Sequence, residues 1–538
     1  MMMFQGRRLL LFLWFGLIFT AGVIYQFLSI GQPKIRFVPP PPRKYNRSQM
    51  PSMEAIELQK LLQLLEWPVP PEDSVPFASS TSPEKSFYQL FQSWHNYTVG
   101  ETLLVRLEAH DHSGQVKRYG GDFFRAKVHS PELKAGAAGR VQDHHNGTYT
   151  LAFPLLWAGA VQVSVRLIHS SEAVAILKRT RHSKPSTVSF FSYFGGPSQS
   201  DKEEKTECNV HPSPGPTCQY TDPGTGEHWF CSQPQHHPCS ALTHHSAGHY
   251  KQVLTPEESV FLGGAVTDRA VPGKVPIIQV LPAPQLDAVT SPPPPPCRPG
   301  LAPISPSGFY YKDVWMPLGC SSRTFPKANL ALGCLWGKIV HMFGDSTLCQ
   351  WWEFLVDFIP SLKRIDLHVS YKSGPLLAVE PAQGLVLGWR AHGLPLRTEK
   401  TKMADLHYLA NELDALGGGP DVVVVFTLWA HFTTFPVEYY VQRLRRVRQA
   451  VVQLLSRGPR TTVVIKTANT GYKTIYGSDW LSMQLDSILR AMFADVPVVM
   501  VDAWAMTSCH YLPDNIHPGK VIVQNEINAF LSFICPGS

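Results

Sequence analysis

The chain has 538 residues, 44% of them apolar, enough for two to four domains with ordinary buried cores. Its formal charge of +7 is spread along the length without a dense Lys/Arg run, which argues against a nucleic-acid partner. Only a weak preference for anionic partners such as acidic glycans remains.

Arg7-Arg8 precedes an uncharged stretch from Leu9 to Pro33, strongly apolar from Leu9 to Ile24 and long enough to span a bilayer. Positive charge on the short side predicts a cytoplasmic N-terminus and a lumenal bulk. Thr20-Ala21-Gly22 offers small residues for signal cleavage, so the outcomes are a single-pass type II membrane protein of the secretory pathway or a secreted chain. The apolar run continues through Val23, Ile24, Phe27 and Leu28, which favours the anchor. Ten cysteines, all between Cys208 and Cys535, and sequons at Asn46, Asn96 and Asn146 agree with entry into the secretory pathway.

After this tip and anchor (1–33), a Pro-rich stem (34–82) carries one helical pattern, Glu54 to Trp67. Residues 83–190 alternate polar and apolar in short runs, among them Leu103–Ala109, Gly147–Phe153 and Val161–Leu167. With turn signals between them, these predict an immunoglobulin-like β-sandwich. A connecting region (191–296) is rich in Pro, His and Cys. Cys208, Cys218, Cys231 and Cys239 lie among histidines, but spacings of 9, 12 and 7 residues lack a Cys-x-x-Cys knuckle. Two local disulfides are expected there, and no metal.

Beyond the polyproline run Pro292–Pro296, residues 297–538 read as an α/β domain. Uninterrupted β-branched strands (Ile339–Phe343, Asp421–Phe426, Thr461–Lys466, Val498–Val501) alternate with helices (Leu348–Phe358, Val437–Leu455, Val521–Ile534). This predicts a parallel sheet covered on both faces, with its site at the carboxyl ends of the strands. Gly344-Asp345-Ser346 stands at one such end, and Asp514-Asn515-Ile516-His517 follows another.

By chance alone a Gly-Asp-Ser tripeptide has a probability of roughly 10–20% in such a chain, and Asp-x-x-His is expected about once. The order and position of the two therefore carry the inference. They point to Ser346 as nucleophile, His517 as base and Asp514 as the acid that orients it. The competing reading makes Ser346 a helix N-cap and His517 a surface turn residue. Three bridges are expected around this domain: Cys509–Cys535, Cys320–Cys334 and Cys297–Cys349.

Tyr119-Gly120-Gly121-Asp122, Asn146-Gly147-Thr148-Tyr149 and Trp157-Ala158-Gly159 are joined by further motifs. These are Cys334-Leu335-Trp336-Gly337-Lys338, Gly344-Asp345-Ser346-Thr347-Leu348, Trp389-Arg390-Ala391-His392-Gly393 and Asp514-Asn515-Ile516-His517-Pro518. In these segments the chain resembles the neurexophilin and PC-esterase (NXPE) family, its C-terminal part being similar to the GDSL/SGNH hydrolases. The resemblance implies a Ser346–His517–Asp514 site moving acetyl groups on glycans, sialic acids included. Acetyl-CoA would be the donor substrate, and no cofactor would be bound. General SGNH enzymes carry a Gly-x-Asn-Asp oxyanion motif, whereas here Thr427-Leu428-Trp429-Ala430-His431-Phe432 follows the strand. The oxyanion donors expected instead are the Ser346 amide with Gly374, Arg390 or His431. The alternatives are an O-acetyl esterase, or a secreted non-enzymatic glycoprotein binding a cell-surface receptor through its β-sandwich.

Overall fold

Alternating patterns in the N-terminal half and continuous apolar runs in the C-terminal half produce two different sheet architectures. The computed structural model describes residues 53–536 except 73–74, 92–95, 185–186, 196–201, 284–293, 398 and 475. The anchor segment, the first part of the stem (34–52) and Asn46 lie outside the described residues. Among the described residues no helix is long and apolar enough to cross a membrane.

The chain is multidomain. Its N-terminal region is β-rich: a four-stranded sheet containing Thr102–Glu108 and Thr148–Pro154 faces a larger one containing Phe123–Ser130 and Gly159–His169. Every second side chain points between them, so Leu103, Val105, Leu107, Phe124, Ala126, Val128, Leu151 and Phe153 share one apolar cluster. The strands Gly308–Tyr311 and Val314–Pro317, far away in sequence, extend the larger sheet beside Ala135–Ala138.

Helix Ser171–Ser183, capped by the Ser170 hydroxyl, interrupts the expected run of strands. The connecting region is not merely a linker: it builds a sheet from Val188–Phe194, Glu204–Asn209, Thr217–Thr221, His228–Ser232, Leu242–Tyr250 and Thr401–Lys402. Phe190, Phe194 and Trp229 of that sheet share a core with Leu387 and Trp389 of the C-terminal region. Buried Arg443 pairs with buried Glu227 across the same junction.

The local cysteines bridge as Cys208–Cys231 and Cys218–Cys239. The three other expected pairings are not formed. Cys297 pairs with Cys320 and Cys334 with Cys535, while Cys349 and Cys509 are buried free thiols. The reason is positional. Helix Lys520–Ile534 packs on helix Ala328–Cys334, bringing the chain's end to Cys334, whereas Cys509 points into the core.

The C-terminal sheet runs in the order 363–365, 376–380, 385–391, 339–344, 422–426, 462–466, 499–501. From 385–391 onward all neighbours are parallel; the first two strands run antiparallel. Strand Ile339–Gly344 is central, with later strands laid down on either side of it. The crevice at its carboxyl end is therefore the place where such sheets bind ligands.

Candidate functional site

Ser346 is the first residue of helix Ser346–Phe358, directly after the central strand. Asp345 is the cap. Its buried carboxylate accepts from the Thr347 amide (2.9 Å), the Thr347 hydroxyl (2.7 Å) and the Ala430 amide (3.3 Å). Asp345 thus ties the start of the helix to the loop after the next strand. Gly344 has no room for a side chain, since a Cβ would stand 2.7 Å from Thr427 Cγ2. Ser346 is left exposed, and its amide, in the first turn, has no acceptor within the helix.

Across the crevice, Ser346 Oγ lies 2.8 Å from His517 Nε2. His517 sits in an exposed turn closed by its own amide on Asn515 Oδ1 (2.9 Å). The turn is held from outside by Asn469 Nδ2 on Ile516 O (2.7 Å) and Gln350 Nε2 on Pro518 O (2.8 Å). Asp514, three residues before His517, has its Oδ2 2.6 Å from Arg125 Nη2. The contact between Ser346 and His517 is present, and Asp514 stands at the entry to the same turn.

The pair opens on a cavity of about 460 Å³ lined by Cys349, Glu353, Tyr371, Trp389, Arg397 and His431 among others. Of the expected oxyanion donors, His431 lines this cavity and two do not. The Gly374 amide already donates to Ser370 O (2.9 Å). Arg390 is paired with buried Glu412 (2.8 Å), because strand alternation sends Trp389 and Ala391 to the cavity and Arg390 to the opposite face. His431 Nδ1 is 3.1 Å from His392 Nε2, and loss of hydration lowers its pKa to about 4, so the ring is neutral. Burial pushes the Cys349 thiol well up, which removes it as a competing nucleophile near neutrality.

Arg397 has no counterpart in the sequence reading. Its guanidinium donates to Tyr472 Oη (2.6 Å), Thr433 Oγ1 (3.2 Å), Thr434 Oγ1 (3.3 Å) and Tyr476 O (3.1 Å). It makes no ion pair among the described residues. No local motif marks it, since its four partners come from loops that meet only in the fold.

Residues 315–535 match the family model described as NXPE family member 4-like, C-terminal domain, and residues 53–259 match the one described as Neurexophilin. The chain belongs to the NXPE family. In this NXPE chain the C-terminal match contains Ser346 and His517, and the N-terminal match contains Arg125. Its four disulfides fit a secreted or lumenal protein. Asn96 and Asn146 are both exposed, as glycan acceptors must be.

Proposed function

We propose that this chain is an SGNH-like acyl transferase of the secretory pathway, moving an acetyl group through Ser346 to a hydroxyl of an acidic glycan such as a sialoglycoconjugate. The observation that carries the reading is the 2.8 Å contact between Ser346 Oγ and His517 Nε2 at the mouth of the cavity. In this mechanism His517 Nε2 takes the Ser346 proton as Oγ attacks the acetyl carbonyl of a thioester such as acetyl-CoA. The tetrahedral oxyanion is met by the Ser346 amide at the helix N-terminus. When His392 Nε2 is the donor in the histidine pair, neutral His431 keeps its proton on Nε2 and adds a second donor. Collapse expels the thiolate, which takes the proton from His517 and leaves an acetyl-Ser346 ester. His517 then deprotonates the acceptor hydroxyl, which attacks the ester; collapse breaks the bond to Oγ, and His517 returns the proton to Ser346 Oγ.

Arg397 supports an anionic acceptor. A guanidinium held by neutral oxygens keeps its charge for the ligand, and a carboxylate on the sugar would be its partner. A second reading, O-acetyl ester hydrolysis, rests on the exposure of both Ser346 and His517, which lets water compete as acceptor. Golgi residence and membrane anchoring through residues 1–33 belong to the same proposal.

Mass spectrometry of glycans from cells lacking the endogenous activity tests it. Cells given the wild-type chain should gain acetylated glycans, and cells given Ser346→Ala should not. A loss of acetyl groups with the wild type would select the esterase reading. Equal acetylation by both chains would remove Ser346 from the chemistry and leave the receptor-binding glycoprotein as the better account.

A further inference from the structure

The strand Phe123–Ser130 belongs to the N-terminal region, yet one of its faces is covered by the C-terminal region. Phe124, Ala126 and Val128 point into the N-terminal core, so Arg125, Lys127 and His129 point the other way. There Arg125 and Lys127 meet the loop that carries His517. Lys127 Nζ donates to the carbonyls of His510 and Leu512. On the neighbouring strand, Gly136 lies so close to Cys509 O that a Cβ would overlap it. The two regions are in contact at the backbone level where this loop begins.

Arg125 is the hub of the contact. Only 14% of its side chain is exposed, and it stands among three carboxylates: Asp514 (2.6 Å), Asp479 (3.1 Å) and Asp268 (3.9 Å). Burial disfavours the cation, but the three carboxylates outweigh it and hold its pKa above the ordinary guanidinium value. Asp479 accepts the amides of Gly471 (3.2 Å) and Tyr472 (2.8 Å), so Arg125 joins two active-site loops. Those loops also touch directly: Gly471, at φ +97°, lies against the backbone of Asn515, and a Cβ there would come within 2.5 Å of Asn515 Cα.

The His517 turn has one apolar contact, Ile516 packed half-buried against the Trp429–Ala430–Ala468 cluster, while Asn515 and His517 are exposed. Polar ties on both sides of Ile516 add to that contact. Asn469 and Gln350 hold the far side at Ile516 O and Pro518 O. The near side, three residues before the base, is held by Arg125 on Asp514.

We propose that Arg125 is a positioning residue for His517: by gripping Asp514 it sets the turn so that Nε2 faces Ser346 Oγ, and the N-terminal region thereby completes the active site of the C-terminal one. The proposal rests on the acyl-transfer reading of Ser346 and His517. It makes Asp514 the link between Arg125 and the His517 turn, and it gives a reason for fusing a β-rich region and an α/β region in one chain. Arg125 touches neither substrate nor nucleophile; it acts through Asp514.

A double-mutant cycle on the full chain tests this, read as the rate of Ser346 labelling by a fluorophosphonate probe. Arg125→Met and Asp514→Asn should each slow labelling about tenfold or more, and the double variant should be no slower than the worse single one. Effects on residues acting as one unit do not add, whereas two independent structural losses multiply. Arg125→Lys, which keeps a cation beside Asp514, should recover part of the rate, a rescue that a purely volumetric role would not show. Near-UV circular dichroism and the disulfide map report folding. Should Arg125→Met misfold, Asp514→Asn and Arg125→Lys carry the test by their own rates. Wild-type rates in Arg125→Met or Asp514→Asn, or losses that multiply, would overturn the proposal. A wild-type chain that is not labelled at Ser346 would instead overturn the catalytic reading, and this proposal with it.

Discussion

Ser346 Oγ and His517 Nε2 stand 2.8 Å apart although 171 positions separate them in the chain. The parallel sheet makes this possible by delivering both to the same edge, one directly after the central strand and the other on the loop beyond the last. Because nucleophile and base work as a unit, His517→Ala should cost about as much acyl transfer as Ser346→Ala, on the order of 10²–10⁴-fold. The double variant should be hardly worse than either. Turnover measured on all three variants checks this, and multiplying losses would break the assignment.

Arg397 predicts a split between substrates. Charge-assisted hydrogen bonds contribute about 1.5–3 kcal/mol, so Arg397→Gln should weaken use of a carboxylate-bearing sugar roughly 10- to 150-fold. Transfer to a neutral sugar should change little. Equal loss with both acceptors would mean that Arg397 only braces Tyr472, Thr433 and Tyr476.

Much of the site was legible before the fold, and what was not has a physical reason. Ser346 and His517 announce themselves because a nucleophile elbow and a His turn are local patterns placed at strand ends. The Arg125–Lys127–His129 alternation reads in sequence as a wet face, and only tertiary packing turns it onto Asp514 and the Leu512 carbonyl. Arg390 was expected in the site and lies on the wrong face of its strand, which the phase of a two-residue repeat decides and its composition does not. The connecting region's Pro- and His-rich composition concealed a sheet, because its strands are stabilised by Trp229 and two disulfides more than by local propensity.

Cysteine pairing depends still more on packing, and the bridges found make a firm prediction. Peptide mapping without reduction should return Cys208–Cys231, Cys218–Cys239, Cys297–Cys320 and Cys334–Cys535, with Cys349 and Cys509 as thiols. Cys334 and Cys535 lie 201 positions apart, so the loop-closure model gives their bridge about 5 kcal/mol. The double Cys334→Ala/Cys535→Ala variant should unfold at markedly lower denaturant, and an unchanged midpoint would contradict the tether.

Acid should destabilise the chain. Burial lowers the pKa of His169 to about 3 and those of His245 and His341 to about 4, against 6.5 for a free side chain, and holds His392 well below it. These groups are kept neutral in the fold, so the unfolded chain binds more protons between pH 6.5 and 4. The stability they contribute is present above 6.5 and is lost as pH falls toward 4. Asp122 and Asp479, raised to about 6 by burial, act with the opposite sign and offset part of the loss. With His129, His431 and His510, also lowered to about 4 by burial, seven such histidines stand against four raised carboxyls, Asp486 and Glu526 included. This gives a melting temperature lower at about pH 5 than at about pH 7.5; a flat or rising profile would contradict this balance.

The central claim is that Ser346 is an activated nucleophile, and the most direct measurement is the site of covalent modification by a fluorophosphonate probe. Intact mass and peptide mapping of the full chain should show one adduct, on Ser346. It should be absent in Ser346→Ala and slowed by at least about 10²-fold in His517→Ala, where the general base is gone. No adduct on the folded wild-type chain, or labelling at an undiminished rate without His517, would contradict the account.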